Sequence, residues 1–139
     1  MATLSNTFET AFLHRQSVVE EEIDFMGHVN NLVYLRWASE MAGRHWETVA
    51  TPDMVSAGLW VVIRHEIDYH RELKLGDEVE MRTWVEPPKG LRFPRHVDIR
   101  KAGADKPSAK VLTTWTYIDA NTRRPSRMPA ETRALFYPE

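Results

Sequence analysis

Residues 24–37 read Asp24-Phe25-Met26-Gly27-His28-Val29-Asn30-Asn31-Leu32-Val33-Tyr34-Leu35-Arg36-Trp37. Asparagine is a preferred N-cap residue, because its side-chain oxygen accepts a hydrogen bond from a free backbone N–H of the first turn. Either Asn30 or Asn31 can therefore begin a helix, and Gly27 permits a tight turn or the close approach of a ligand. First-turn N–H groups lie at the positive end of the helix dipole. The stretch thus combines a carboxylate, a histidine and N–H donors for a developing oxyanion.

A long helix is predicted from about Asn31 to Val49. Its polar residues recur at helical spacing and form one stripe, and apolar residues cover most of the remaining circumference. The polar positions are Arg36, Glu40, Arg44 and Glu47, and the apolar positions are Leu32, Leu35, Trp37, Ala38, Met41, Ala42, Trp46 and Val49. So wide an apolar arc indicates a helix that a sheet encloses. The acidic residues 20–22 before it are expected to form a solvent-exposed connection.

Strands are predicted at residues 12–19, 59–69, 79–85, 93–101 and 109–119, from runs rich in alternating, β-branched and aromatic residues. Residues 63, 65, 67 and 69 are expected on one face of the second strand. Thr51 and Pro52 begin a short helix, which Gly58 ends. Pro94 places the start of its strand at an edge or bulge, because proline cannot donate to the ladder. The order predicts an α+β class: an antiparallel sheet wrapped around one long helix.

Composition limits the possible functions. The 139 residues suit one domain, taken as residues 1–139, and no apolar run approaches the ~20 residues of a membrane helix. The net charge of −2 argues against bulk nucleic-acid binding. The chain has no cysteine, so disulfides, thiolate metal sites and a cysteine nucleophile are excluded. The start of the chain lacks the pattern of a signal peptide, and a cytoplasmic location is expected.

The run from Asp24 to Trp37 resembles the opening of acyl-CoA thioesterases of the 4-hydroxybenzoyl-CoA thioesterase type. It is also similar to that of the acyl-carrier-protein thioesterases. The resemblance continues through residues 66–77 and ends in residues 122–129, in the same order along the chain. It implies the hotdog fold, hydrolysis of an acyl-CoA thioester, and a homodimer or homotetramer with active sites across the dimer interface. No metal or redox cofactor is implied, since coenzyme A is part of the substrate.

The resemblance also implies residue roles. Asp24 matches the aspartate that acts as general base or nucleophile, and sequence does not separate these two mechanisms. Its plain structural alternative is a cap for the loop before the helix. The backbone N–H near Asn31 is the expected oxyanion donor, and Asn30 is a candidate site contact. His28 is a candidate to orient water, donate to the carbonyl or hold Asp24, and its alternative is a purely structural hydrogen bond. Both asparagines can equally be helix caps.

Glu72 is the second candidate acid, since it matches the glutamate of the carrier-protein thioesterases. Met26 stands where those enzymes have a catalytic asparagine, and Leu73 replaces their cysteine. Both departures favour Asp24 over Glu72, which is otherwise a solvated residue at a strand end. For the coenzyme A phosphates, the expected ligands are Lys89, Arg92 and Arg95 around one turn, because arginine offers a planar set of donors. A solvated turn is the alternative, and residues 123, 124 and 127 are the next arginine cluster.

Other chemistries lack their motifs. His65 and His70 are five residues apart in a strand, so their side chains point to opposite faces, and no HExxH or GxSxG pattern occurs. The rival functions are a binding module for acyl thioesters that has no turnover, and an acyl-carrier-protein thioesterase. A hotdog dehydratase is a third, but residues 24–31 do not resemble the histidine motif of those enzymes.

Overall fold

Five antiparallel strands and one long helix make up the fold, and the computed structural model describes residues 6–137. The predicted domain of residues 1–139 therefore has its first five and last two residues outside the described part. The elements, in chain order, are β1 (Phe12–Ser17), a 3₁₀ turn (Glu20–Glu22), α1 (Asn31–Val49), α2 (Pro52–Ala57), β2 (Gly58–Tyr69), β3 (Glu78–Val85), β4 (Phe93–Lys101), β5 (Ala109–Asp119) and α3 (Ala130–Arg133). This is the predicted hotdog arrangement.

The sheet order is β1-β3-β4-β5-β2, and every neighbouring pair is antiparallel. The strands on either side of α1 in sequence, β1 and β2, therefore lie at opposite edges of the sheet. The connection that contains α1 has to cross the full width of the sheet, which brings the helix onto one face. None of the helices within residues 6–137 has the length and apolar character needed to cross a membrane.

Helix α1 begins and ends where the sequence predicts. Asn30 is the N-cap, and its Oδ1 accepts a hydrogen bond from Leu32 N at 2.9 Å. At the other end, Ala50 N donates to Trp46 O at 2.8 Å. The buried face of the helix packs on apolar side chains of β3, β4 and β5; it comprises Val33, Tyr34, Trp37, Ala38, Met41 and Ala42. Leu32, expected in the apolar arc, is 72% exposed, whereas the next two residues, Val33 and Tyr34, are buried.

Three other predictions need correction. Glu22 is 4% exposed rather than solvated, since partners on α1 take up its carboxylate. Strand β4 lies in the interior of the sheet, so Pro94 is not at an edge. Pro94 pairs with Thr114 on β5, and on the other side its O accepts from Glu86 N at 3.1 Å. Strand β3 has already ended at Val85 there, so the N–H that proline lacks falls beyond the β3–β4 ladder. In β2, the register shifts between Val62 and Arg64 and leaves Ile63 without a partner on β5, which breaks the alternation expected to put it on one face with residues 65, 67 and 69.

A second apolar cluster fills the space beneath the C-terminal half of α1. Its buried members come from β3, β4, β5 and the segment around α3, and Trp46 and Trp60 pack against them; they are Val85, Phe93, Tyr117, Met128, Phe136 and Tyr137. Trp60 packs edge-on to both Phe93 and Tyr117, with ring centroids 5.3 and 5.1 Å apart. Gly58 enters β2 directly against Tyr117, and the backbone there is extended with φ −163°.

We expect Gly58→Ala to lower the free energy of unfolding by about 1–3 kcal/mol, the usual cost of an overpacked core. The added Cβ would overlap the ring of Tyr117, while the extended backbone itself accepts any residue. Gly43→Ala is the matched control: no atom lies within 4 Å of its Cβ, and it lies inside α1. It should raise the free energy of unfolding by up to about 1 kcal/mol. Urea unfolding of both variants tests this, and a neutral Gly58→Ala would contradict it.

Candidate active site

The loop before α1 is closed at its base by backbone hydrogen bonds. Ile23 and Val29 form an antiparallel bridge, and Asp24 N donates to His28 O at 2.8 Å. Within the loop, Gly27 N donates to Asp24 O at 3.1 Å. Gly27 has φ +82°, a left-handed conformation in which a side chain would be strained. The loop is thus a tight turn that a glycine makes possible, as its sequence predicts.

The carboxylate of Asp24 has two distinguishable oxygens. Oδ1 accepts hydrogen bonds from Met26 N at 2.9 Å and His28 N at 3.2 Å. Oδ2 has no hydrogen-bond partner within residues 6–137. Asp24 therefore fills the structural role of capping the loop with one oxygen, and its other oxygen is left without a partner in a residue that lines the cleft described below.

The start of α1 provides the adjacent donor. Asn30 caps the helix by accepting from Leu32 N through its side chain and from Val33 N through its backbone oxygen. The backbone N–H of Asn31, the first residue of the helix, is not used by this cap. This N–H has no backbone acceptor among the described residues and lies at the positive end of the helix dipole. Tyr69 ties the end of β2 to the same turn, because its hydroxyl donates to Asn31 O at 3.0 Å.

The segment after β2 forms the opposite wall of the site. Val29 N donates to Leu73 O at 2.8 Å, which fixes that segment beside the loop. His28 Nε2 lies 3.7 Å from Glu72 Oε1. Between the two walls is an open cleft of about 450 Å³, lined by Asp24, Phe25, Met26, His28, Val29, Asn30, Asn31, Tyr34, Tyr69, His70, Arg71 and Glu72.

The structure brings the four predicted residues of the site, Asp24, His28, Asn30 and Asn31, into this one cleft together with Glu72. Sequence reasoning missed Tyr69, His70 and Arg71 as lining residues. All three belong to the stretch 66–77 that carries the family resemblance, and that resemblance could have identified them as residues near the site. Tyr34 also lines the cleft, and burial raises its pKa to about 12, so its phenol stays neutral at physiological pH.

The three basic residues predicted to bind phosphate do not form one cluster. Lys89 and Arg92 lie on an exposed turn and exchange backbone hydrogen bonds of 2.8 and 3.1 Å. Arg95, by contrast, is only 8% exposed, because strand alternation turns its side chain into the space between the sheet and α1. There its Nη1 donates to Thr83 Oγ1 and to His45 Nδ1, both at 2.9 Å. Arg95 therefore does not share the exposed turn of Lys89 and Arg92, and its role as a phosphate ligand stays a prediction.

His45 is a buried histidine that sequence reasoning did not single out. Burial, together with the nearby charge of Arg95, lowers the pKa of His45 to about 3. The imidazole is therefore neutral at physiological pH, and its Nδ1 accepts the hydrogen bond from Arg95. Within residues 6–137, no three His, Asp or Glu side chains lie close enough together to hold a metal ion.

Comparison with known proteins agrees with this geometry. A family profile described as the thioesterase-like superfamily matches residues 18–136. A chloroplastic acyl-[acyl-carrier-protein] hydrolase of Cuphea viscosissima is 29% identical over 89 residues, which are 63% of this chain and 22% of that protein. A palmitoyl-acyl carrier protein thioesterase of Arabidopsis thaliana is also 29% identical, over 90 residues that are 64% of this chain and 22% of that protein. The aligned region thus spans about a fifth of each of these relatives.

Solved structures give the same result for the fold. A Staphylococcus aureus protein solved in complex with CoA superposes with a TM-score of 0.80 at 20% identity, over 90% of this chain and 80% of that one. A thioesterase of Thermus thermophilus, complexed with coenzyme A and Zn, superposes with a TM-score of 0.77 at 25% identity, over 89% and 90% of the two chains.

The neutral, buried His45 should make stability depend on pH. Its pKa is lowered in the folded state, so between about pH 6.5 and pH 3 the unfolded chain binds one more proton. The free energy of unfolding therefore falls as the pH is lowered through this range, by about 1.4 kcal/mol per pH unit from this group alone. We expect His45→Gln, whose amide oxygen can still accept from Arg95, to reduce that slope. Urea unfolding at pH 4–9 measures it; equal acid-side slopes for both proteins would contradict the assignment.

Proposed function

The chain belongs to the thioesterase-like superfamily, and on that premise we propose that it hydrolyses acyl-CoA thioesters, with Asp24 as general base or nucleophile. One observation carries the proposal: Asp24 Oδ2 and the N–H of Asn31 have no partner within residues 6–137 and belong to the same cleft. The first is a proton acceptor or nucleophile, and the second is a donor for the oxygen that gains charge.

The proposed reaction uses these groups in sequence. Asp24 removes a proton from a water that attacks the thioester carbon, or attacks that carbon itself and is then released by water. The carbonyl oxygen becomes an oxyanion, which the N–H of Asn31 stabilises with help from the helix dipole. The C–S bond then breaks to give the carboxylic acid and the free thiol. His28 is the proposed residue that orients the water: its backbone N–H donates to Asp24 Oδ1, and its imidazole Nε2 lies 3.7 Å from Glu72 Oε1.

Coenzyme A is the proposed carrier, with Lys89 and Arg92 as proposed contacts for its phosphates. Both side chains are exposed, so the nucleotide can reach them without any rearrangement of the fold. The neighbouring structures solved with CoA support this choice.

Acyl-carrier protein is the alternative carrier, and the similarity to plant carrier-protein thioesterases favours it. Comparing kcat/KM for one acyl group on both carriers separates the two.

Dimerisation is part of the proposal, because β2 is an edge strand with an apolar outer row. Leu59, Val61 and Ile63 are 45–47% exposed along it. A long edge strand with an apolar face is prone to pair with another chain unless something covers it. We propose that β2 meets its counterpart in a second copy of the chain, as a homodimer or within a homotetramer.

We expect sedimentation velocity at micromolar concentration to show a dimer or a larger homo-oligomer. Val61→Lys, which puts a charge in the middle of the proposed interface, should shift the protein to monomers. Leu13→Lys is the matched control, since Leu13 is 43% exposed on β1 at the opposite edge, and it should leave the dimer intact. A wild-type protein that stays monomeric would overturn this part of the proposal.

We expect Asp24→Asn to lower kcat by roughly 10²–10⁴-fold, the usual contribution of a general base. The asparagine Oδ1 can still accept from Met26 N and His28 N, so KM and the unfolding midpoint should change little. The assay is thiol release from a panel of short, long and aromatic acyl-CoAs.

Glu72→Gln is the matched control for this variant, because it removes a charge from the same cleft and should cost far less. If Glu72→Gln is inactive and Asp24→Asn is active, the carrier-protein type of site is the better description. If wild-type protein binds the acyl-CoAs but hydrolyses none of them, the protein is a binding module.

A further inference from the structure

A second cavity, of about 200 Å³, lies between the C-terminal half of α1 and the sheet. Aromatic rings from five parts of the chain form most of its wall: Trp46, Trp60, Phe93, Trp115 and Phe136. Helix α1 contributes Trp46 together with the small residues Ser39, Ala42 and Gly43, and no atom lies within 4 Å of where a Cβ on Gly43 would be. Ser39 and Gly43 are exposed, so the cavity opens to solvent beside these small residues.

Arg95 is the one charged residue in that wall. Only its Nη1 donates hydrogen bonds, to Thr83 and His45; its Nε and Nη2 have no acceptor within residues 6–137. No carboxylate of the described residues forms an ion pair with it. The partner His45 is neutral because its pKa is lowered to about 3, and a neutral imidazole does not balance the positive charge of Arg95. A buried charge without a counter-ion is costly for folding, so a ligand is the natural source of the missing anion.

Trp115 provides an independent second observation. Its indole Nε1 is buried and has no hydrogen-bond partner in the described part of the chain. Unpaired buried donors are uncommon in folded proteins. Arg95 pairs with Thr113 across the sheet, so Trp115, two residues further along β5, is its diagonal neighbour. Diagonal neighbours lie about 7–8 Å apart, within the span of one small ligand.

The unused N–H groups of Arg95 define the chemistry of the ligand. They are donors, so a ligand group that meets them must be an acceptor, and the guanidinium favours an anion. A planar carboxylate matches the fork of an arginine. The remaining wall is aromatic and favours a ring packed edge-on or offset. A cavity of about 150 Å³ holds benzene, so about 200 Å³ has room for one ring with a carboxylate.

This cavity is separate from the cleft at the start of α1. Asn31 and Trp46 are 15 residues apart on the helix, which corresponds to roughly 22 Å. The fully buried side chains of Trp37 and Met41 occupy the space between the two ends. We propose that the cavity is a second ligand site, which binds a monocyclic aromatic carboxylate between the aromatic wall and the Arg95 guanidinium. It goes beyond thioester hydrolysis and does not depend on it.

Benzoate and its neutral isostere benzamide are suitable probes, and the indole N–H resonances of the five tryptophans are the readout. Titration with benzoate should shift one indole resonance saturably, and the loss of that resonance in Trp115→Phe assigns it. Benzoate should bind at least about tenfold more tightly than benzamide, because charged hydrogen bonds are the stronger ones.

Three variants sharpen the test. Arg95→Gln should bring the two affinities within about twofold of each other, which removes the preference for the anion. Gly43→Leu places an apolar side chain in the open space at the helix side of the cavity and should weaken binding of both probes, so the test survives if Arg95→Gln fails to fold. Asp24→Asn should bind benzoate as the wild type does, whether or not the protein is a thioesterase.

Several results would overturn the proposal. They are the absence of a saturable shift, equal affinity of the wild type for both probes, and unchanged binding in Gly43→Leu. Displacement of benzoate by S-octyl-CoA, a thioether that cannot be hydrolysed, would also overturn it. That result would make the cavity the acyl pocket of the reaction site rather than a separate one.

Discussion

The buried carboxylate of Glu22 holds the loop before α1 and the helix in one fixed arrangement. Its Oε2 accepts from Trp37 Nε1 at 2.8 Å and from Arg36 Nη2 at 2.6 Å, and its Oε1 accepts from Val19 N at 3.0 Å. Its backbone oxygen also accepts from Asn30 N at 2.9 Å. One residue thus connects the end of β1, the helix cap and the second turn of α1. A charge this buried is tolerated only when it is paired in this way.

The position of the candidate site follows from that constraint. The loop that carries Asp24 begins directly after Glu22 and ends at Asn30. Glu22 binds both Asn30 and side chains of α1, so both ends of the loop are fixed to the helix. The Asp24 carboxylate therefore has a set position relative to the N–H of Asn31. Positioning of reacting groups is a large part of what an enzyme supplies, and small displacements are costly in rate. Glu22 has this influence although it does not line the cleft.

Local signals allowed the helix and most strands to be predicted from the sequence. Asn30 as cap and Pro52 just beyond the end bound α1 without help from the rest of the fold. Glu22 was missed because its partner Trp37 is 15 residues away, and nothing local distinguishes it from the two glutamates before it. Arg95 is a different case, since it alternates with the buried residues Phe93, Val97 and Ile99. The period of two indicates an inward side chain, and the prediction of Arg95 as a phosphate ligand rested on the chemistry of arginine instead.

The candidate site was predicted to the extent that it is contiguous. Residues 24–31 form one wall, and their order along the chain is enough to place them together. The other wall, with Tyr69 and Glu72, comes from the far end of β2, and its position depends on the strand order β1-β3-β4-β5-β2, which periodicity does not determine. The proposed oxyanion donor is a backbone N–H, which leaves no trace in residue identity.

The two polar sites on α1 differ in what they cost the fold. At its N-terminal end, Asp24 Oδ2 and the N–H of Asn31 face an open cleft, where water can satisfy them, and Asp24 also caps its loop. Asp24 and Asn31 would therefore favour folding even if the protein catalysed no reaction. Arg95 is buried beside aromatic rings, and the indole Nε1 of Trp115 is buried without a partner, so the unused donors of these two residues contribute nothing to stability. Folding therefore explains the first group and not the second, for which a ligand is the simpler physical explanation.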